Sequence, residues 1–296
     1  MKLSDYIQHP TNIKGWLLVN RPQWFRDDRK FLESKWKFLN KSALNLDDPK
    51  TFNEKLNWLK LYYHTPKITM MADKYNVKSY VSGIIGDEYV VPNYGVWNSV
   101  EEIDFNSLPD QFVIKATHDS SGAMVVRNRQ TFDKNSVIRH YRPIMNHNWY
   151  WPYREWAYKN IKPRIIVDKF LDDHSGHELR DYKFWCFGGK PKVMYCTNKA
   201  ADVFENFYDM EFKPLDINHG FRRNVPEFDK PAGFELMKEL AAKLSQGLPF
   251  ARVDFFYVDG HVYFGEFTFY DWAGFRPFVS KEWENRLGDW IELPQH

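Results

Sequence analysis

The chain has 296 residues, 43% hydrophobic and 27% charged, and its 41 Lys and Arg against 39 Asp and Glu leave a formal net charge of +2. This balance excludes wholesale disorder and a mainly electrostatic grip on nucleic acid, so no nucleic-acid partner is expected. Two cysteines, Cys186 and Cys196, can form neither a tetrahedral metal site by themselves nor a dense disulfide framework, which favours a reducing cytosolic compartment and leaves room for one redox bridge.

In chain order, residues 1–51 read as a helical or irregular segment packed on a main body of residues 52–296, with Trp16-Leu17-Leu18-Val19 and Trp24-Phe25 as its apolar groups. Thr51 and Glu54 have capping-box spacing and precede apolar residues at helical intervals, predicting a helix from about Asn53 to His64. Pro66 ends it, and one further short helix is predicted over Ile68 to Tyr80, carrying Asp73 and Lys74. Strand texture begins at Tyr89, and Phe112 to Ala116 alternates as a half-buried strand does. Thr117 to Ala123 is small and polar, predicting a mobile loop before a strand at Met124 to Val126. Val137 to Tyr158 reads as helical or mixed, and Arg164 to Leu171 as a strand. A hairpin is predicted from Tyr182 to Cys196 about Gly188-Gly189, whereas Ala200 to Lys230 carries no assignable pattern. An amphipathic helix follows from Phe234 to Leu244, then strands Phe250 to Val258 and Val262 to Phe269.

The last hairpin carries the strongest chemical signal. Arg252 and Asp254 share one strand face, as do Glu266 and Thr268 on the returning strand. A two-residue loop pairs Asp254 with Gly265 and turns Glu266 away; a three-residue loop Asp259-Gly260-His261 pairs Asp254 with Glu266 and Arg252 with Thr268. Facing carboxylates call for a joining cation, such as magnesium carrying nucleotide phosphates, although a structural Arg–Asp pair fits the same residues. Lys115 closes an apolar strand just before the small-residue loop, where its ammonium and the backbone amides of Ser120 to Ala123 could meet phosphates, or where it is an ordinary strand-end charge. Asp181 and Lys183 share a face, as a nucleotide contact or an ion pair, while Glu155 and Arg164 could belong to a substrate cleft but read more readily as surface ion partners. The 24 Phe, 17 Tyr and 12 Trp serve mainly the core, and where exposed can stack on sugar rings. No apolar run approaches the roughly 20 residues that span a bilayer, and Met1 to Pro10 lacks the pattern of a secretory signal, so a soluble chain is expected.

The order of these segments (Asp73-Lys74, Phe112 to Gly122, Arg154-Glu155, Pro163 to Leu171, Asp181 to Pro191, Arg252-Val253-Asp254, Glu266-Phe267-Thr268) resembles the TupA-like branch of the ATP-grasp superfamily from about Phe52 to Leu287. The resemblance implies an α+β ATP-grasp fold whose two α+β subdomains enclose a nucleotide cleft, with ATP and Mg2+ as cofactors. Lys74 and Lys115 match paired phosphate-contacting lysines, Ser120, Ser121, Gly122 and Ala123 the phosphate loop, and Asp168, Lys169 and Phe170 the strand and hinge whose backbone lies beside adenine. Asp254 and Glu266 match magnesium ligands, Arg252 the residue near the transferred phosphate, and Lys183 a further phosphate contact. Thr268 stands where family members usually carry Asn, and the usual N-terminal substrate domain is reduced to the segment before Phe52.

By the same resemblance the chain is an ATP-dependent carboxylate–amine ligase working through an acyl phosphate in bacterial surface-polysaccharide synthesis, as in teichuronopeptide and capsule pathways. Its expected partners are a uronic-acid-containing glycan or sugar nucleotide and an amine or amino-acid co-substrate. The expected place is the cytoplasm, with peripheral association to a membrane polysaccharide assembly pathway at the inner face. A nucleotide-sugar-dependent glycosyltransferase and a non-catalytic carbohydrate-binding protein are the competing readings.

Overall fold

A computed structural model describes residues 10–120, 122–174, 179–198, 204–220 and 229–295. Helices α1 (Pro10–Asn20) and α2 (Asp28–Asn40) build a small apolar cluster around Leu18, Phe31, Leu32 and Trp36 that reaches across to Phe275. Helix α3 (Phe52–Tyr62) begins at the expected capping box, with the Glu54 backbone N–H donating to Thr51 Oγ1 and Glu54 Oε2 accepting from the Thr51 N–H at 3.0 Å.

The single helix predicted over Ile68 to Tyr80 is instead two, α4 (Pro66–Ala72) and α5 (Asn76–Ile85). Asp73 breaks it by adopting extended dihedrals, and its carboxylate accepts from the Tyr75 N–H at 2.9 Å and from Arg164 at 2.7 Å. Local side-chain acceptance of this kind competes directly with helical continuation. The break turns Lys74 toward the Asp119 carbonyl, to which it donates.

Strands β1 (Asn93–Trp97), β2 (Phe112–Ala116), β3 (Ala123–Val126) and β4 (Ile165–Lys169) form a four-stranded antiparallel sheet in the order β1-β4-β2-β3. Phe112, Ile114 and Ala116 point to one face, where helix α6 (Lys134–Met145) covers them and Tyr141 donates to the Ile114 carbonyl. The alternation that made β2 readable therefore leaves Lys115 on the opposite face.

The larger antiparallel sheet comprises β5 (Asp181–Phe187), β6 (Lys190–Asn198), β7 (Phe204–Tyr208), β8 (Pro214–Leu215), β9 (Phe250–Val258) and β10 (His261–Thr268), in the order β10-β9-β5-β6-β7-β8. Helix α7 (Phe234–Ser245) packs its buried stripe of Phe234, Met237, Leu240, Ala241 and Leu244 into the core shared with Phe184, Val253 and Phe255. Helix α8 (Lys281–Asp289) closes the body against α3. Strands β7 and β8 lie within the span that carried no assignable pattern. Cys186 and Cys196 are free and buried, and burial pushes the Cys186 thiol up to about 12, so the redox bridge left open by composition is not formed. Among the described residues no helix is long and apolar enough to cross a membrane.

Candidate active-site cavity

A cavity of about 650 Å³ lies between the two sheets, lined by Lys115 and Asp168 from the smaller and by Asp181, Lys183, Arg252, Asp254, Glu266 and Thr268 from the larger. The hairpin register decides this arrangement. The turn is the two-residue kind, Asp259-Gly260, with both residues at positive φ (50° and 79°) and Val258 paired to His261. The three-residue loop expected from the functional pairing is therefore absent. The pairing arises through a bulge: Phe264 opposes Phe255, Gly265 is skipped, and Glu266 then opposes Asp254 and Thr268 opposes Arg252. A Cβ on Gly265 would stand 3.1 Å from the Asp254 carbonyl oxygen and 3.3 Å from Phe256, so a side chain there must displace its neighbours by a few tenths of an ångström.

Arg252 ties this face together. Its Nε and Nη2 each donate to Asp254 at 2.7 Å, Nη2 also to Glu266 at 3.0 Å, and Nη1 to Asp271 at 2.7 Å. Lys183 donates to Asp254 at 2.9 Å and to Asp181 at 3.0 Å. Burial raises the Asp254 pKa, and Arg252 and Lys183 only partly offset it; for Glu266 burial is outweighed by Lys74 and Arg252, which hold it below the usual carboxylate range. Lys74 lies 4.0 Å from Glu266, and burial lowers its own pKa. Across the cavity Lys115 and Lys78 meet Asp168 at 2.9 and 3.0 Å, and despite burial Asp168 raises the Lys115 pKa.

The phosphate-loop expectation divides. Thr117, His118 and Asp119 are buried, and Thr117 is bonded through its backbone to Arg164 and Lys74, so the loop has a fixed stem rather than being mobile throughout. Ser120, Gly122 and Ala123 are exposed and line the cavity; Ser121 lies outside the described residues. Of the residues assigned beside adenine, Asp168 lines the cavity. The side chains of Lys169 and Phe170 do not, and the Lys169 N–H is taken by the Pro92 carbonyl.

Glu155 and Arg164 are not surface ion partners. Arg164 binds the buried Asp73 at 2.7 Å, and Glu155, only 6% exposed, lines the far end of the cavity beside Trp149, Tyr153, Tyr158, Tyr270 and Trp272. Its place is set from the N-terminal segment. Arg154, at φ +58°, is fully buried and donates to Asp28 and to the carbonyls of Pro22 and Phe25. Trp272 is also held at positive φ, with its indole N–H donating to Glu205 at 3.1 Å and 41% of its surface open. Sequence reasoning missed Lys78 and Asp271. Lys78 falls one turn beyond Lys74, a spacing that gains meaning only once the helix is broken at Asp73; Asp271 follows the last strand without any local pattern.

Asp254, Glu266 and Thr268 offer two cross-strand carboxylates and a hydroxyl at one cavity wall, hard oxygen donors that fit a magnesium ion keeping waters and phosphate oxygens as its other ligands. Among the described residues no group of three or more His, Cys, Asp or Glu side chains could hold a metal.

The family model for TupA-like ATP-grasp proteins matches residues 54–292. No curated protein matches the chain significantly. Solved structures similar to it include D-alanine–D-alanine ligase from Bacillus anthracis complexed with ATP (18% identity, 75% of this chain and 65% of that one, TM-score 0.43). They also include D-alanine–D-alanine ligase from Helicobacter pylori (16%, 74% and 59%, TM-score 0.40). A third is a RimK domain ATP-grasp protein from Sphaerobacter thermophilus DSM 20745 (11%, 76% and 69%, TM-score 0.42). The chain thus spans less than two thirds of the length of the two D-alanine–D-alanine ligases. With a family model covering most of its length, the chain belongs to the TupA-like ATP-grasp family.

Proposed function

We propose that this protein is an ATP-dependent carboxylate–amine ligase that modifies a uronic acid, or attaches an amino acid, in bacterial surface-polysaccharide synthesis at the inner face of the membrane. The observation that carries the reading is the cross-strand pair Asp254 and Glu266 with Arg252 between them, facing Lys115 across the cavity. In this reading Asp254, Glu266 and Thr268 hold magnesium, which when bound neutralises phosphate charge and orients the nucleotide. Lys74 and Lys115 attract the phosphates, and Lys78 keeps Asp168 neutralised when Lys115 turns to them. A carboxylate oxygen of the substrate attacks the γ-phosphorus, the bond to the bridging oxygen breaks, and ADP leaves with that electron pair. Arg252, charged at any working pH because its carboxylate partners outweigh burial, steadies the acyl phosphate beside it. The partly exposed Trp272, fixed by Glu205 and with the Arg276 guanidinium over its ring at 4.8 Å, supports a sugar ring as the body of the carboxylate substrate.

The test is ADP release with D-glucuronate or D-galacturonate, magnesium and hydroxylamine as a trap. Carboxylate-dependent ADP release with hydroxamate formation is the expected result. Turnover of a sugar nucleotide without any ADP from ATP would overturn it in favour of glycosyl transfer.

A further inference from the structure

The charged wall of the cavity has its cations and anions paired, but the aromatic end holds a carboxylate that does not. Glu155 is 94% buried by its 6% exposure, lines the cavity, and among the described residues has no ion pair within 4 Å. Its side-chain hydrogen-bond partner is Trp149, a neutral group, and a buried carboxylate without an ion-paired counter-ion is costly, so it either takes up a proton or draws in a cation. The nearest candidates inside the protein are otherwise engaged: Lys60 donates to Asn57 Oδ1 at 2.9 Å and to the Ala273 carbonyl, and Lys35 donates to the Pro152 carbonyl while lying over the Tyr153 ring at 3.7 Å. Neither lysine lines the cavity. Burial first and Glu155 second raise the pKa of Tyr153, Tyr158 and Tyr270 alike, which places this carboxylate within electrostatic reach of three phenol rings. Aromatic faces around a carboxylate are the surroundings that an ammonium group prefers to water. Glu155 and Arg252 line the same cavity, and Arg252 adds a small pull that lowers the Glu155 pKa.

From this arrangement we propose that Glu155, walled by Trp149, Tyr153, Tyr158 and Tyr270, is the subsite for the amine co-substrate, binding it as a primary ammonium and taking its proton before attack. The proposal rests on the ligase reading above and adds to it where the nucleophile sits. The ammonium gives one proton to the Glu155 carboxylate and becomes a neutral amine. Its nitrogen lone pair attacks the acyl-phosphate carbonyl carbon, the carbon–oxygen bond to phosphorus breaks, and phosphate leaves with that electron pair and the second nitrogen proton. Burial pushes the Glu155 pKa above the usual carboxylate range, against the pull of Lys60, which suits a carboxylate that must accept a proton. The groups that face it agree in sign. As pH falls, Glu155, raised by burial, loses its charge, while Lys60 and Lys35, lowered by burial, gain theirs, and each change disfavours a bound ammonium; Arg252 and the three phenols keep their states.

The experiment is ligand-observed saturation-transfer NMR with n-propylammonium, and 1-propanol as its uncharged counterpart, alongside calorimetric titration of MgATP, on wild type, Glu155→Gln and Lys115→Ala. The expected result is a crossed pattern. Wild type binds both ligands; Glu155→Gln keeps MgATP affinity within about twofold and loses propylammonium at least tenfold; Lys115→Ala does the reverse; and 1-propanol binds none of them saturably. Propylammonium bound equally by wild type and Glu155→Gln, or not bound by a wild type that takes up MgATP, overturns the amine subsite and leaves the ligase reading standing. A wild type that takes up no MgATP overturns both. If Glu155→Gln loses both ligands through misfolding, the wild-type pH series decides: propylammonium affinity that does not fall from pH 8 to pH 6 overturns the proposal.

Discussion

The two ends of the cavity are built on opposite electrostatic plans. At the sheet end Arg252, Lys183 and Lys115 each lie within 3.0 Å of a carboxylate, and Asp254 and Asp168 each accept from two cations. At the aromatic end Glu155 stands among phenol and indole rings with no ion pair of its own. Paired charges hold a geometry in place while nothing is bound, ready to exchange partners when phosphates and a metal arrive. An unpaired buried charge stores no such geometry and instead selects what enters. On the proposed reading the first end serves anions of high charge and the second one cation, and the difference in pairing is what separates them.

The comparison breaks most severely at its keystone. Arg252→Ala leaves Asp254, Glu266 and Asp271 without their shared cation, and removing one partner of a buried ionic cluster typically costs about 3–5 kcal/mol. Urea denaturation should show a loss of that order; a loss below about 1 kcal/mol would mean that the sheet end does not depend on mutual pairing. Next in size is Gly265→Ala. Its Cβ, 3.1 Å from the Asp254 carbonyl oxygen, must push the strands apart or slip the bulge, and overpacking of this kind costs about 1–3 kcal/mol. Magnesium-dependent nucleotide binding should weaken with it, and a variant of wild-type stability and metal response would show that the register tolerates a side chain.

Lys115→Ala sharpens the contrast by sparing the fold. Asp168 keeps Lys78 at 3.0 Å, so the melting temperature should move little while MgATP affinity falls tenfold or more, about 1.4 kcal/mol. Unchanged affinity would return Lys115 to the role of a strand-end charge. A separate effect concerns pH. Because burial raises the folded-state pKa of Glu155 to about 7, well above the ordinary 4.5, its contribution to stability is fully present below pH 4.5 and is lost as pH rises through 7. Glu155→Gln should therefore gain stability relative to wild type between pH 5 and pH 8; a constant difference in melting temperature across that range would place Glu155 in a better-solvated setting than its burial implies.

The same division governs what could be read in the sequence. The sheet end was legible because period-two alternation puts Lys115 opposite a buried face and places Arg252 with Asp254, and Glu266 with Thr268, on shared faces. Its register was not legible, since the bulge at Gly265 depends on how closely two strands approach and not on turn length. The break at Asp73 was hidden for a related reason: its carboxylate is stabilised by Arg164, 91 residues away in sequence. At the aromatic end the substrate-cleft reading of Glu155 ranked below the surface-pair reading, which its burial overturns. Nothing near Glu155 distinguishes a surface acid from a buried one, because its burial comes from the N-terminal segment gripping Arg154 through Asp28, Pro22 and Phe25.

The most direct test of the account is a calorimetric titration of the purified protein with ATP, with and without magnesium. Saturable binding that requires magnesium is the result expected of a charged end formed by Lys115, Asp254 and Glu266. The absence of binding at millimolar ATP, or binding that is the same whether or not magnesium is present, would contradict it.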